Sequence, residues 1–254
     1  MPFPAARCLR ALAACTAAVW ALAAQAGEIT VSAAASLTNA LRDIAPLFEA
    51  AHPGTKVLYN FGASGALLAQ IAKGAPADVL ASADMQRMDQ AQAQNLIRPS
   101  SRRDIVRNTL VVITPLRSAR RPTALGDLAQ PAVTRIAIGH PASVPVGSYT
   151  QGALEAAGLW RAIEPKMIGA NSVRQALDYV ARAEVDAGFV YATDAALMAD
   201  KVQVAFAVPT PTPIRYPAAV LAGAPNPGEA AKFVDFLLSP AAQAVFARHG
   251  FGKP

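Results

Sequence analysis

The chain is short of reactive side chains. Of its 254 residues, two are cysteine and three histidine. Both cysteines, Cys8 and Cys15, fall in the first 26 residues, which have the layout of a secretory leader. Arg7 and Arg10 make the basic start, Ala11 to Ala24 is apolar, and Ala24-Gln25-Ala26 is a small-x-small site. Cleavage is expected after Ala26. The apolar stretch is short for a membrane span of about 20 residues, and no later run is long and apolar enough. A mature chain then has no cysteine, which excludes disulfides, thiolate metal sites and a cysteine nucleophile. Leu12-Ala13-Ala14-Cys15 looks like a lipoprotein cleavage box, so lipid anchoring at Cys15 stands as a minor alternative. His52, His140 and His249 are scattered and show no metal-ligand spacing.

Charge is also sparse, at 16% of residues. Without Arg7 and Arg10, 21 of the 23 basic residues remain against 17 acidic ones, a net charge of +4. The basic group Arg117, Arg120 and Arg121 has no interleaved aromatic residue, which argues against nucleic acid as a partner.

What is present is an alternation of β-rich and helical stretches. Strands are expected at 29–32, 56–61, 78–82, 109–114, 135–139, 165–168, 187–191, 202–208 and 216–222. Helical spacing links Leu37, Ala40, Leu41, Ile44, Leu47 and Phe48, with Pro46 expected to kink that helix or mark a late first turn. One long helix is expected from Gly228 to His249. Such alternation implies an α/β fold with mainly parallel sheets flanked by helices. The length suits two lobes, 27–110 plus 214–254 and 111–213, with a cleft between them. The crossings would be Thr109–Thr114 and the proline-rich segment Thr210–Tyr216, a stiff connector.

In such sheets ligands bind beyond the carboxyl ends of strands, where loops enter helices. Four of these loops share one character. "AAASL" (33–37) and "GASGA" (62–66) each set one serine among small residues. "PVGSY" (145–149) and "NSV" (171–173) open helices in the second half. Helix starts offer unpaired N–H groups and a partial positive charge. Ser36 and Ser64 add hydroxyls, and Tyr191, ending its strand, a phenol. Singly, Ser36 reads as a helix cap and Tyr191 as a half-buried strand residue. Together they form a set of neutral donors, with Arg174 the one cation nearby and no carboxylate acceptor. A purely donating site suits a fully deprotonated tetrahedral dianion such as molybdate, tungstate or sulfate.

"AAASLTNAL" (33–41), "FGASGALLAQI" (61–71), "GAPADVLASAD" (74–84), "VPVGSY" (144–149), "NSVRQAL" (171–177), "FVYATDA" (189–195), "YPAAVL" (216–221) and "RHGF" (248–251) together resemble the periplasmic molybdate-binding proteins, the solute-binding receptors of molybdate ABC transporters. The match spans nearly the whole mature chain in order. It implies a two-lobed, type II-like binding-protein fold with the ligand in the interlobe cleft. It also implies binding of molybdate, and of tungstate, by Ser36, Ser64, Val146, Val173 and Tyr191. Ser36 and Ser64 would give hydroxyl and N–H, Val146 and Val173 their N–H groups, and Tyr191 its phenol. Molybdenum would be held only as the oxyanion, with no separate cofactor. Val146 stands where the family often has alanine, and only its N–H is needed. The implied partners are an inner-membrane ABC permease and its ATPase, for a monomer in the periplasm without enzymatic activity. The same fold could instead hold sulfate or another small anion.

A hydrolase is the remote alternative. Gly62-Ala63-Ser64-Gly65-Ala66 approaches the G-x-S-x-G elbow, and Ser64, Asp235 and His249 follow in triad order. The elbow fails at Ala66, and Asp235 and His249 fall in one helical pattern. Asp78 and Asp84 read as caps or hinge hydrogen bonds.

Overall fold

A computed structural model describes residues 27–119 and 121–254. The leader, its cleavage site, Cys15 and Arg120 lie outside the described residues. The strands are β1 (Gly27–Ala34), β2 (Thr55–Gly62), β3 (Val79–Ala81), β4 (Arg103–Asn108), β5 (Leu110–Pro115), β6 (Ile136–Gly139), β7 (Met167–Ala170), β8 (Ala187–Tyr191), β9 (Val202–Val208) and β10 (Ile214–Val220). The helices are α1 (Thr38–Ala51), α2 (Ser64–Ala72), α3 (Met85–Ala93), α4 (Leu125–Ala129), α5 (Pro145–Ala156), α6 (Trp160–Ile163), α7 (Val173–Ala181), α8 (Ala192–Leu197), α9 (Pro227–Phe236) and α10 (Pro240–Arg248).

Two five-stranded sheets result, ordered β2-β1-β3-β10-β4 and β7-β6-β8-β5-β9. In the first, β1 pairs in parallel with β2 and β3, while β10 runs antiparallel to both β3 and β4. The second repeats this plan, with β5 as the reversed strand between β8 and β9. Four strands of each sheet therefore run one way. Central positions of the two sheets, such as Ile29, Val31, Val112 and Ile138, are wholly buried, as expected for sheets covered on both faces.

Two elements differ from the sequence expectation. The strand β4 adds an edge that charge had concealed: in Arg103-Asp104-Ile105-Val106-Arg107-Asn108 only Ile105 and Val106 are buried. The long C-terminal helix is two helices, bent by 61°. Ser239 caps the second, accepting the Ala242 N–H at 3.3 Å, and Pro240 at its first position cannot extend the preceding helix. Pro46 breaks nothing: α1 runs through it. A proline inside a helix costs about 3 kcal/mol. Leu41, Ile44 and Phe48 are wholly buried on that helix, and each apolar side chain so buried contributes about 1.5–3 kcal/mol. Phe48 stands edge-on to Phe233 with ring centres 5.1 Å apart, so tertiary packing outweighs the local penalty.

The chain leaves the first sheet for the second through Thr109 alone, between β4 and β5, and returns through residues 209–213. The rest of the stretch expected as the first crossing is β5 itself. Both joins lie at one edge of the two halves, so the ends of β1, β2, β6 and β8 face each other across the cleft.

Candidate functional site

The small residues that end β1 and β2 let helix starts approach a shared space closely. Ser36 sits in the 3-10 turn Ala35–Leu37 that leads into α1. Its hydroxyl does not cap the helix: Oγ lies 3.0 Å from the Tyr216 phenol oxygen. Ser64 is the first residue of α2, and its Oγ accepts the Ala83 N–H at 3.0 Å. That leaves its single proton free to donate. Pro145 opens α5 without an N–H of its own, so Val146 offers the first donor there. Val173 opens α7 behind Ser172, whose Oγ accepts the Gln175 N–H at 3.2 Å. These N–H groups fall in first turns, where a helix has no internal partner for them.

Ser36, Ser64, Val146, Val173 and Tyr191 line one cavity of about 10 Å³, walled otherwise by small or apolar residues such as Ala34, Gly62 and Ala83. Space of that size fits about one water-sized centre. Tyr191 is 1% exposed, and its phenol oxygen has no hydrogen-bond partner among the described residues. Burial pushes the Tyr191 hydroxyl well above the usual phenol range, with neighbouring phenols and carboxylates adding to the rise. It therefore stays protonated and can donate. Larger surface clefts of about 720 and 820 Å³ contain none of the five.

The halves meet closely around this cavity. The Gly65 N–H donates to the Ser143 carbonyl at 3.0 Å. A Cβ on Gly65 would stand 2.6 Å from that oxygen. Arg87, 3% exposed, reaches from α3 across the cleft. It donates to the Pro141 and Ala142 carbonyls at 2.9 and 2.8 Å and to Ser148 Oγ at 2.9 Å. Asp84 pairs with the same guanidinium at 3.1 Å and caps α3 through the Arg87 N–H. Asp78 ties β1 to the last helices by accepting the Thr30 and Asn226 N–H groups.

Arg174, the cation noted beside these loops, is taken up by Asp194, with Nε 2.6 Å from Oδ1. Asp194 is wholly buried. Burial pushes its carboxyl up to about 6, against the opposing pull of Arg174. The same guanidinium crosses to the other half, donating to Asn39 Oδ1 at 3.0 Å and to the Ser36 carbonyl at 3.4 Å. The cavity is thus faced by neutral donors while the nearby cation is neutralised. Tyr216, Asn108 and Arg87 were not legible as site residues, since nothing in their local sequence separates them from core or surface positions.

Ser64, Asp235 and His249 do not form a triad. His249 Nε2 lies 2.8 Å from Asp43, and Asp235, largely exposed, faces Arg103 at 3.8 Å. No group of three or more potential metal ligands occurs among the described residues.

Residues 29–252 match the family model for bacterial extracellular solute-binding proteins. The molybdate-binding protein ModA of Escherichia coli K12 is 39% identical over 233 residues, covering 90% of this chain and 90% of its own. The solved periplasmic molybdate-binding protein of Azotobacter vinelandii aligns with a TM-score of 0.75 at 26% identity, over 89% of this chain and 99% of its own. The sulfate-binding protein SubI of Mycobacterium tuberculosis reaches the same TM-score at 19% identity, over 89% and 86% of the two chains. At that identity the likeness speaks for the fold alone, so the fold does not choose between the two anions. From the matched span, the two-sheet architecture and the relatives, the chain belongs to the family of bacterial extracellular solute-binding proteins.

Proposed function

We propose that this protein captures molybdate, and tungstate with it, outside the cytoplasmic membrane and delivers it to an ABC permease for uptake. The observation that supports this reading most is the single small cavity where donors from both halves converge with no acceptor carboxylate. Its lining of small and apolar residues with hydroxyl and N–H donors and no carboxylate favours a compact inorganic anion. Ser36, Ser64 and Tyr191 supply hydroxyl protons, and Val146 and Val173 supply N–H groups. Several charge-assisted hydrogen bonds of this kind hold a dianion without a counter-charge.

In the cycle that follows, the anion enters while the halves stand apart. The joins at Thr109 and residues 209–213 act as the hinge. Closure completes the donor shell, excludes water and brings Arg87 and Gly65 onto the opposite half. The closed surface is then recognised by the permease, which its ATPase drives. The protein works as a monomer in the periplasm after cleavage behind Ala26, and it catalyses no reaction.

A thermal-shift panel with molybdate, tungstate, sulfate and phosphate tests the cargo, because a ligand that binds only the native state raises the melting temperature. Molybdate and tungstate are expected to give the largest shifts. A larger shift with sulfate would reassign the cargo, and no shift with any of the four would end the reading. Ser36→Ala and Ser64→Ala are each expected to weaken molybdate binding by about 1.5–3 kcal/mol, the contribution of a hydrogen bond to a charged group. Calorimetry showing parent-like affinity in both variants would place the site elsewhere.

A further inference from the structure

The Ser36 hydroxyl can face the cavity either as donor or as acceptor, and the atoms behind it decide which. The sequence of bonds starts at Asn108, the last residue of β4, beside the Thr109 crossing. Its Oδ1 lies 2.9 Å from the Thr109 N–H, which can only donate. That fixes the orientation of the amide. Its NH₂ group then points the other way and donates to Thr193 Oγ1 at 2.9 Å and to the Tyr216 phenol oxygen at 3.2 Å.

Tyr216, wholly buried, therefore accepts from Asn108, and Ser36 Oγ, 3.0 Å away, is the one further hydrogen-bond partner of its hydroxyl among the described residues. A Tyr216 proton directed there would make Ser36 the acceptor and turn the Ser36 proton toward the cavity. Sheet geometry holds the relay in place. Asn108 pairs with Ile214 and Val106 with Tyr216, which sets the two side chains diagonally on one face of neighbouring strands. The ladder shifts register between Tyr216 and Pro217, where proline has no N–H to donate. The Tyr216 ring is clamped edge-on between Tyr191 and Phe251, with centres 5.8 and 5.6 Å away. Burial holds its hydroxyl well above the usual phenol range, with the Asp194 charge adding to it, so the relay keeps its proton at physiological pH.

We infer that Tyr216, oriented by Asn108, is a positioning and specificity-determining residue that locks Ser36 as a donor and so excludes oxyanions carrying a proton, such as hydrogen phosphate. This rests on the proposed anion-binding role of the cavity. Ser64 is biased the same way by the Ala83 N–H, so neither serine is set to receive a ligand proton.

Asn108→Asp is the decisive variant. A carboxylate at this position has only acceptors, so it takes the Tyr216 proton. Tyr216 then accepts from Ser36, and Ser36 shows the cavity a lone pair. Tyr216→Phe keeps the ring and frees Ser36 to adopt either role. Both are compared with the parent by calorimetry at pH 8 with molybdate, sulfate and inorganic phosphate, the last mainly hydrogen phosphate there. All three ligands are dianions, so the charge added by Asn108→Asp cancels in ratios of affinity. In Asn108→Asp the phosphate-to-sulfate affinity ratio is expected to rise at least about tenfold, equivalent to about 1.4 kcal/mol. In Tyr216→Phe a smaller rise in the same direction is expected, and this arm decides if the aspartate variant binds no anion. Ratios within twofold of the parent in every variant that still binds would overturn the relay, as would loss of all binding in both. A parent that binds none of the three would instead overturn the proposed function.

Discussion

Gly65→Ala is expected to weaken molybdate binding by roughly 5–150-fold without lowering the stability of the ligand-free protein. The added methyl group would stand 2.6 Å from the Ser143 carbonyl oxygen and 2.9 Å from the Ser143 Cα. Both are backbone atoms, so no side chain can turn aside to make room. Overpacking of this kind costs about 1–3 kcal/mol. Gly65 lies in the first turn of α2 in one half and Ser143 precedes α5 in the other. In the proposed cycle the clash arises only when the halves close, so its cost falls on binding. Calorimetry reads the affinity, and small-angle scattering reads the compaction that molybdate induces. Parent-like affinity together with parent-like compaction would show that this contact is not part of closure.

Arg174→Met is expected to destabilise the protein by about 1–3 kcal/mol at neutral pH. The variant leaves Asp194, wholly buried, without its cation, and removing one partner from a buried polar group costs about that much. Removing both partners, as in Arg174→Met with Asp194→Asn, is expected to restore most of the loss, because no uncompensated charge remains. The pH dependence has a definite sign. Burial raises the Asp194 carboxyl from 3.8 to about 6 in the folded protein. The folded state thus holds this proton more tightly than the unfolded chain does. The stability this group contributes is fully present below about pH 4 and is lost as pH rises through about 6. Urea melts of the parent and of Asp194→Asn should therefore diverge between pH 4 and 6, with the parent losing ground as pH rises. Loss of the Arg174 charge raises the carboxyl further, so the penalty in Arg174→Met should be smaller at pH 5 than at pH 8. A penalty independent of pH would mean that packing by the Arg174 stem, rather than the Asp194 charge, is responsible.

Much of this protein is written locally. Strand periodicity and the small-residue loops after β1 and β2 are readable from composition and spacing alone, because a buried parallel strand must be apolar and a helix start near a ligand must be small. The proline that begins α10 is visible too, but apolar spacing continues past it and conceals the break. Pro46 lies inside α1, and the buried face of α1 against α9 carries the helix on past it. The strand β4 was hidden because an edge strand with four polar residues has little apolar pattern to read.

The amino-acid sequence by itself determined the class of site: loops furnished with hydroxyls and free N–H groups and almost no charge, for which a deprotonated dianion is the matching ligand. Only the tertiary structure decided what those donors are aimed at and which way their protons point. Tyr216 is 180 residues from Ser36 and Asn108 is 108 residues from Tyr216, so no local pattern can relate them. Their roles come from strand pairing at the sheet edge. Hydrogen-bond direction there is set by one backbone N–H that has no choice but to donate.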